Sequence, residues 1–267
     1  MRRPKMRRPK MRRHGWGTVG LAGALLTAGC AHTGSARSET TGVAGPLTVL
    51  AAASLTESFG TLGREFEAAH PGVRVTLSFG ASTTLAAQIT QGAPADVFAP
   101  AAPEPMETVR KAGEIAGDTR TFARNVLAIA VPPGNPGHVT GVADLARPGL
   151  RLALCAPQVP CGAAADTVLR AAGVAAHPVT LAKDVKLVLS LVKLGEVDAG
   201  LVYRTDVRSA AGTVVGVDIP DATVAVNDYP IGVVSHAPNP VAARAFVDLV
   251  LSRTGRTVLR DAGFILP

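Results

Sequence analysis

At 267 residues with 47% apolar side chains, the chain is long enough to bury a substantial core and suits one large domain or two of about 100–150 residues. Its formal charge of +7 does not mark a nucleic-acid binder: eight of the 27 Lys and Arg fall within residues 1–30, which hold no Asp or Glu, and the remaining 19 face 20 acidic residues, leaving −1. Aromatic residues, at 4%, are too few for a base-stacking platform.

The chain opens on "MRRPKMRRPKMRRHGWG", a cationic, internally duplicated segment in which Met6 or Met11 could be the true start. "TVGLAGALLTAG" (18–29) follows, apolar and ending in small residues. A membrane-spanning helix needs about 20 apolar residues, so a secretory signal over 1–29 is the expectation. "LTAGC" resembles a bacterial lipobox, with Thr27 where that motif usually has Leu. Cys30 would then be lipidated and residues 30–46 would tether the protein to the outer face of the cytoplasmic membrane; the alternative is an unlipidated signal with an incidental Cys. Export agrees with the other two cysteines, Cys155 and Cys161 in "CAPQVPCG". In an oxidising compartment they form a local disulfide most simply, whereas a metal site would have only half of a tetrahedral shell. So short a loop stabilises by no more than about 2–3 kcal/mol.

Beyond the tether, strands and helices alternate. "LTVLA" (47–51) reads as a buried strand, and Leu55, Phe59, Leu62 and Phe66 then share one face of a helix that stops near "HPG". "VRVTLSF" (73–79) is a second strand, followed by a helix over about 83–91; "ADVFAP" and "PEPMETVRKAG" supply a third pair, with Asp96 read as closing the preceding turn. Three such units predict a parallel sheet covered by helices. The pattern restarts with strands at 125–133 and 150–157, a short helix in "GVADLARPG" and a helix over about 162–172. Val185, Val188, Leu189 and Val192 share a further helical face, and "AGLVYR" (199–204) is a strand. "ATVAVNDYPIGVVS" reads as one long β-rich segment before closing helices near 240–252 and 254–262. The fold class is therefore α/β in two lobes, each a mostly parallel sheet flanked by helices: 47–124 with 229–267, and 125–228, crossing near Asn125 and Tyr229.

In open α/β sheets ligands bind beyond the carboxyl ends of the strands, where helix N-termini also point. Five turns qualify: "AAASLT" with Ser54, "GAST" with Ser82, "QVPCGAA" with Cys161, "AKDVK" with Val185, and "LVYR" with Tyr203. Singly, each has a more ordinary role: Ser54 and Ser82 as helix caps, Tyr203 at the edge of a core. Together, hydroxyls and first-turn N–H groups are what would hold an oxyanion by local dipoles, with no Lys or Arg required.

Those stretches, "VLAAASLTESF", "SFGASTTLAAQITQGAPADVF", "VPCGAAA", "KDVKLVLSLV" and "GLVYRTDV", resemble in order and spacing the molybdate-binding (ModA) family of bacterial ABC transporters, and the resemblance runs from Leu47 to the C-terminus. It implies a two-lobed solute-binding fold that closes on its ligand, with Ser54 and Ser82 offering hydroxyl and N–H from one lobe, and the N–H groups of Cys161 and Val185 and the phenol of Tyr203 from the other. Cys161 departs from the small residue frequent at its position; only its backbone donor is required. The implied ligand is molybdate or tungstate, bound as an oxyanion with no direct metal coordination and no cofactor, and the implied partner is an ABC permease. The chain is expected to be a monomer and not an enzyme.

Six or seven charge-assisted hydrogen bonds at about 1.5–3 kcal/mol each would offset the dehydration of a dianion. Phosphate, still protonated near neutral pH, would lack an acceptor for its O–H. Asp184 could supply one, although a helix cap is the commoner role. Sulfate or ferric iron are alternative solutes; the chain has two tyrosines, few for an iron site. An exported enzyme with Ser54 or Cys161 as nucleophile would need an adjacent base, and no His or Lys accompanies Ser54 in its motif.

Overall fold

A computed structural model describes residues 42–220 and 222–267. The expected signal segment, Cys30 and most of the tether lie outside those residues.

The first lobe is built on β1 (Gly45–Ala52), β2 (Val73–Gly80), β3 (Val97–Ala99), β4 (Ile115–Asn125) and, from late in the chain, β10 (Asn227–Val234), in the order β2-β1-β3-β10-β4. Helix α1 (Thr56–Ala69) follows β1 because Phe59, Leu62 and Phe66 recur on one face, and with Leu55 just before it that face is at most 1% exposed. It packs on α7 (Pro240–Leu251) and α8 (Arg253–Asp261), with Phe59 5.7 Å from Phe122 and 5.9 Å from Phe246, ring centre to ring centre. α2 (Ser82–Thr90) and α3 (Pro103–Lys111) cover a second, smaller cluster around Phe98 and Met106. Asp96 does not close a turn: its carboxylate accepts from Thr48 N at 2.7 Å and Asn239 N at 2.6 Å, tying β1 to the start of α7.

The second lobe is built on β5 (Leu127–Val131), β6 (Leu152–Cys155), β7 (Thr180–Ala182), β8 (Ala199–Tyr203) and β9 (Val215–Val217), ordered β7-β6-β8-β5-β9. Helices α4 (Pro160–Ala171), α5 (Val185–Lys193) and α6 (Arg204–Ser209) accompany it, and α5 buries the four apolar residues its periodicity predicts.

Both sheets are mixed: each combines two parallel and two antiparallel pairings. The antiparallel members sit where the chain changes sheet. β4 passes through Val126 directly into β5, and β10 brings the chain back after β9. Parallel neighbours require long crossovers, usually helical; an extended segment that runs straight from one sheet into the next has no room for one. The β-rich segment expected over 222–235 is only partly strand: Ala222–Ala225 form a 3₁₀ turn and Asn227–Val234 are β10 of the first sheet, while β9, just before it, joins the second. Strand β4 escapes the sequence reading because most of its residues are exposed or half-buried, so it carries no apolar alternation.

Cys155 and Cys161 are disulfide-bonded, joining the end of β6 to the first turn of α4. The same turn depends on Gly162, whose N–H donates to Val159 O at 2.9 Å; a Cβ there would lie 1.9 Å from the carbonyl oxygen of Ala156. Because the obstacle is backbone, it cannot rotate away. Gly162→Ala is expected to displace the start of α4 and lower stability by about 1–3 kcal/mol in denaturant unfolding; a midpoint equal to that of the parent would refute this packing.

Candidate functional site

All five turns singled out in the sequence line one small void between the lobes. Ser54 lies in the 3₁₀ turn (Ala53–Leu55) after β1, Ser82 opens α2 after β2, Cys161 is in the first turn of α4, Val185 opens α5 after β7, and Tyr203 ends β8. Each therefore stands at the carboxyl end of a strand or the amino end of a helix, where first-turn N–H groups have no carbonyl to bond within their own helix. All five are at least 95% buried.

Neither serine is a cap. Ala81 precedes α2 in the capping position, and Ser82 Oγ instead accepts from Ala101 N at 3.0 Å. With that lone pair engaged, its own proton is free to donate towards the void. Ser54 Oγ lies 2.9 Å from the hydroxyl of Tyr229, a fully buried residue of β10. Tyr203 Oη is buried without a hydrogen-bond partner, although the rings of Tyr203 and Tyr229 meet edge to face at 6.1 Å. Burial first, then Tyr229 and Asp206, holds the Tyr203 phenol well above its ordinary pKa, and burial likewise raises Tyr229. Both phenols therefore keep their protons near neutral pH.

The void is small. Its volume of about 20 Å³ leaves room for one small, compact group and no more. Asp184, also in the lining, caps α5 as expected, its Oδ1 accepting from Leu187 N at 3.0 Å. A larger groove of about 600 Å³ runs alongside and shares Val159 and Pro160. Its lining is mostly Ala, Thr, Pro and Val, whereas the small void is lined by the five residues singled out above, which makes the void the candidate site.

A cation does stand beside the void, which sequence reasoning missed. Lys186 follows Val185, with Nζ 2.8 Å from both carboxylate oxygens of Glu57 and 2.9 Å from Asp206 Oδ1. The approach to Oδ1 is too oblique for a formed hydrogen bond, so that pairing is chiefly Coulombic. Asp206 Oδ2 accepts from Tyr203 N at 3.1 Å. Burial pushes the Asp206 carboxyl up to about 6, with Lys186 partly opposing the rise. Burial lowers the pKa of Lys186, but Asp206 and Glu57 outweigh it, and the lysine ends above its ordinary value. These residues come from three separated stretches of chain and share no local pattern; Tyr229 was marked only as part of a crossover.

Comparison with known proteins gives the arrangement its relatives. Molybdate-binding protein ModA of Mycobacterium tuberculosis is 43% identical over 256 residues, covering 94% of this chain and 98% of that one. Molybdate-binding protein ModA of Escherichia coli is 31% identical over 233 residues, covering 83% and 90%. Among solved structures, the periplasmic molybdate-binding protein of Azotobacter vinelandii superposes with a TM-score of 0.73 at 24% identity, covering 83% of this chain and 99% of that one, a likeness of fold. Residues 47–265 match the bacterial extracellular solute-binding protein family, and the chain belongs to it.

Proposed function

We propose that this protein captures molybdate, and tungstate in the same seat, between its two lobes and delivers it to the permease of an ABC transporter. The observation that carries the reading is the hydroxyl of Tyr203, buried and unpartnered at a void onto which Ser54, Ser82, Cys161 and Val185 also converge. A buried O–H without a partner costs about 1–3 kcal/mol, a cost that an oxyanion in the void would reverse. The two relatives named molybdate-binding proteins support the choice of anion.

Donor chemistry supports the selectivity. Molybdate, tungstate and sulfate carry no proton near neutral pH, whereas phosphate keeps one that needs an acceptor. The carboxylate in the lining, Asp184, is turned to Leu187 N–H. Sulfate is separated from molybdate by size alone, since its shorter bonds would leave donors on opposite walls stretched.

Binding, not catalysis, is the reading for the two candidate nucleophiles. The Cys161 sulfur is committed to Cys155, and the neighbour of Ser54 Oγ is a phenol of raised pKa, a poor base. Segments 47–124 with 229–267 and 125–228 act as two bodies of one monomer, closing over the anion. Residues 1–29 direct export and Cys30, lipidated, holds the protein at the outer face of the cytoplasmic membrane through the tether 30–46. Among the described residues no helix is long and apolar enough to cross a membrane.

Titration calorimetry with molybdate, tungstate, sulfate and phosphate checks the site. The first two are expected to bind with sub-micromolar affinity, about −8 kcal/mol or better, and the last two at least tenfold more weakly. Ser82→Ala and Tyr203→Phe should each cost about 1–3 kcal/mol; equal affinity for all four anions, or indifference to both substitutions, would contradict the assignment. Cys30→Ala is expected to move the protein from the membrane fraction to the medium and to abolish incorporation of labelled fatty acid. Unchanged fractionation would refute the anchor.

A further inference from the structure

The cluster at Lys186 does more than neutralise a charge. Glu57 belongs to α1 of the first lobe, three residues after Ser54; Lys186 belongs to α5 of the second, one residue after Val185. Their contact spans the cleft beside the void. Among the described residues it is the only ion pair between a helix of one lobe and a helix of the other: Arg74–Glu67, Arg110–Glu107 and Lys111–Glu107 stay within the first, Arg124–Asp228 ties β4 to β10 where the chain crosses, and Arg151–Asp198, Arg170–Asp166 and Lys186–Asp206 stay within the second.

We propose that Glu57 and Lys186 form a clasp across the cleft that holds the lobes closed and sets how long the bound anion stays. The proposal rests on the reading of the void as the anion site. Three features separate this pair from an ordinary surface contact, which contributes little because two long side chains must be ordered to make it. Lys186 is already held: its side chain is 22% exposed and its ammonium rests against the fully buried carboxylate of Asp206, which in turn accepts the N–H of Tyr203. Its ordering cost therefore does not fall on closure. Glu57 meets it with both oxygens at 2.8 Å. And α5 carries Val185 while α1 follows directly on the turn that carries Ser54, so separating the lobes at the clasp also separates Ser54 from Val185.

Lys186 and Glu57 are thus positioning residues: neither lines the void. Their effect belongs mainly in the dissociation rate, because the clasp forms as the lobes close, a step that follows the encounter with the anion and that the ligand-free protein also samples. Bringing the partners together contributes little to the encounter itself.

Glu57→Gln is the test, since Glu57 is half exposed and its replacement leaves Lys186 paired with Asp206. Stopped-flow displacement of molybdate should give a dissociation rate 3–10-fold faster than that of the parent and an association rate unchanged within twofold. In 1 M salt the two proteins should converge. Small-angle scattering and amide exchange of the ligand-free proteins should show the variant opening more, with faster exchange in the first turns of α2 and α5. Identical dissociation rates, together with identical scattering and exchange, would overturn the clasp. Should the parent protein fail to bind molybdate at all, the functional reading falls, and the clasp is decided by the ligand-free measurements alone.

Discussion

A hydrogen-bond donor taken out of water must find an acceptor, and this constraint organises the cleft. Ordinary folding meets it by pairing donors within helices and sheets; here the first-turn N–H groups of α4 and α5, two serine hydroxyls and a tyrosine hydroxyl are gathered where the protein itself offers few acceptors. The Tyr203 hydroxyl among them has no partner at all, and a buried donor left so is tolerable only where something else will meet it. An anion does so from every side at once, which is why donors arrive from both lobes. No single helix terminus would suffice, because its N–H groups approach from one direction only.

The architecture follows from that need. The parallel strands of each sheet send their carboxyl ends, and the helix starts that follow, towards one cleft, and the antiparallel strands carry the chain across. Where it crosses, Asn125 donates to Thr205 Oγ1 at 2.8 Å and accepts from Val126 N at 3.0 Å, and Tyr229 packs against Tyr203. Polar and aromatic contacts at the crossing can persist while the lobes rotate, because the residues they join lie next to the connecting strands. The contact between Glu57 and Lys186, which spans the cleft, is instead made and broken with each cycle.

How much of this the sequence discloses depends on whether the signal is local. The helix face Leu55, Phe59, Leu62, Phe66 and the buried face of α5 were legible because burial imposes a period on neighbouring residues. The five turns were legible because each sits at a strand-to-helix junction, and their order matched a family pattern. Strand β4 was not, since its partner is more than 100 residues away and its exposed side chains leave no alternation. Nor were Tyr229, Asp206 and Glu57, whose roles exist only through contacts with Ser54, Tyr203 and Lys186. The ordinary reading of Ser54 and Ser82 as caps fails for a physical reason: the backbone capping positions fall one residue away, at Ala81 before α2 and at Leu55 before α1.

Lys186 raises the question of why a site for an anion should neutralise a cation beside it. A free ammonium in the cleft would attract phosphate, sulfate or chloride alike, because a point charge asks nothing of its partner's shape. Neutral N–H and O–H groups fixed on a rigid frame ask a great deal: each must find an oxygen along its own direction and at its own distance. Pairing Lys186 with Asp206 and Glu57 removes the indiscriminate attraction and leaves the discriminating one. The lysine's charge is then directed across the cleft at Glu57, where it acts on the position of the lobes and not on the choice of ion.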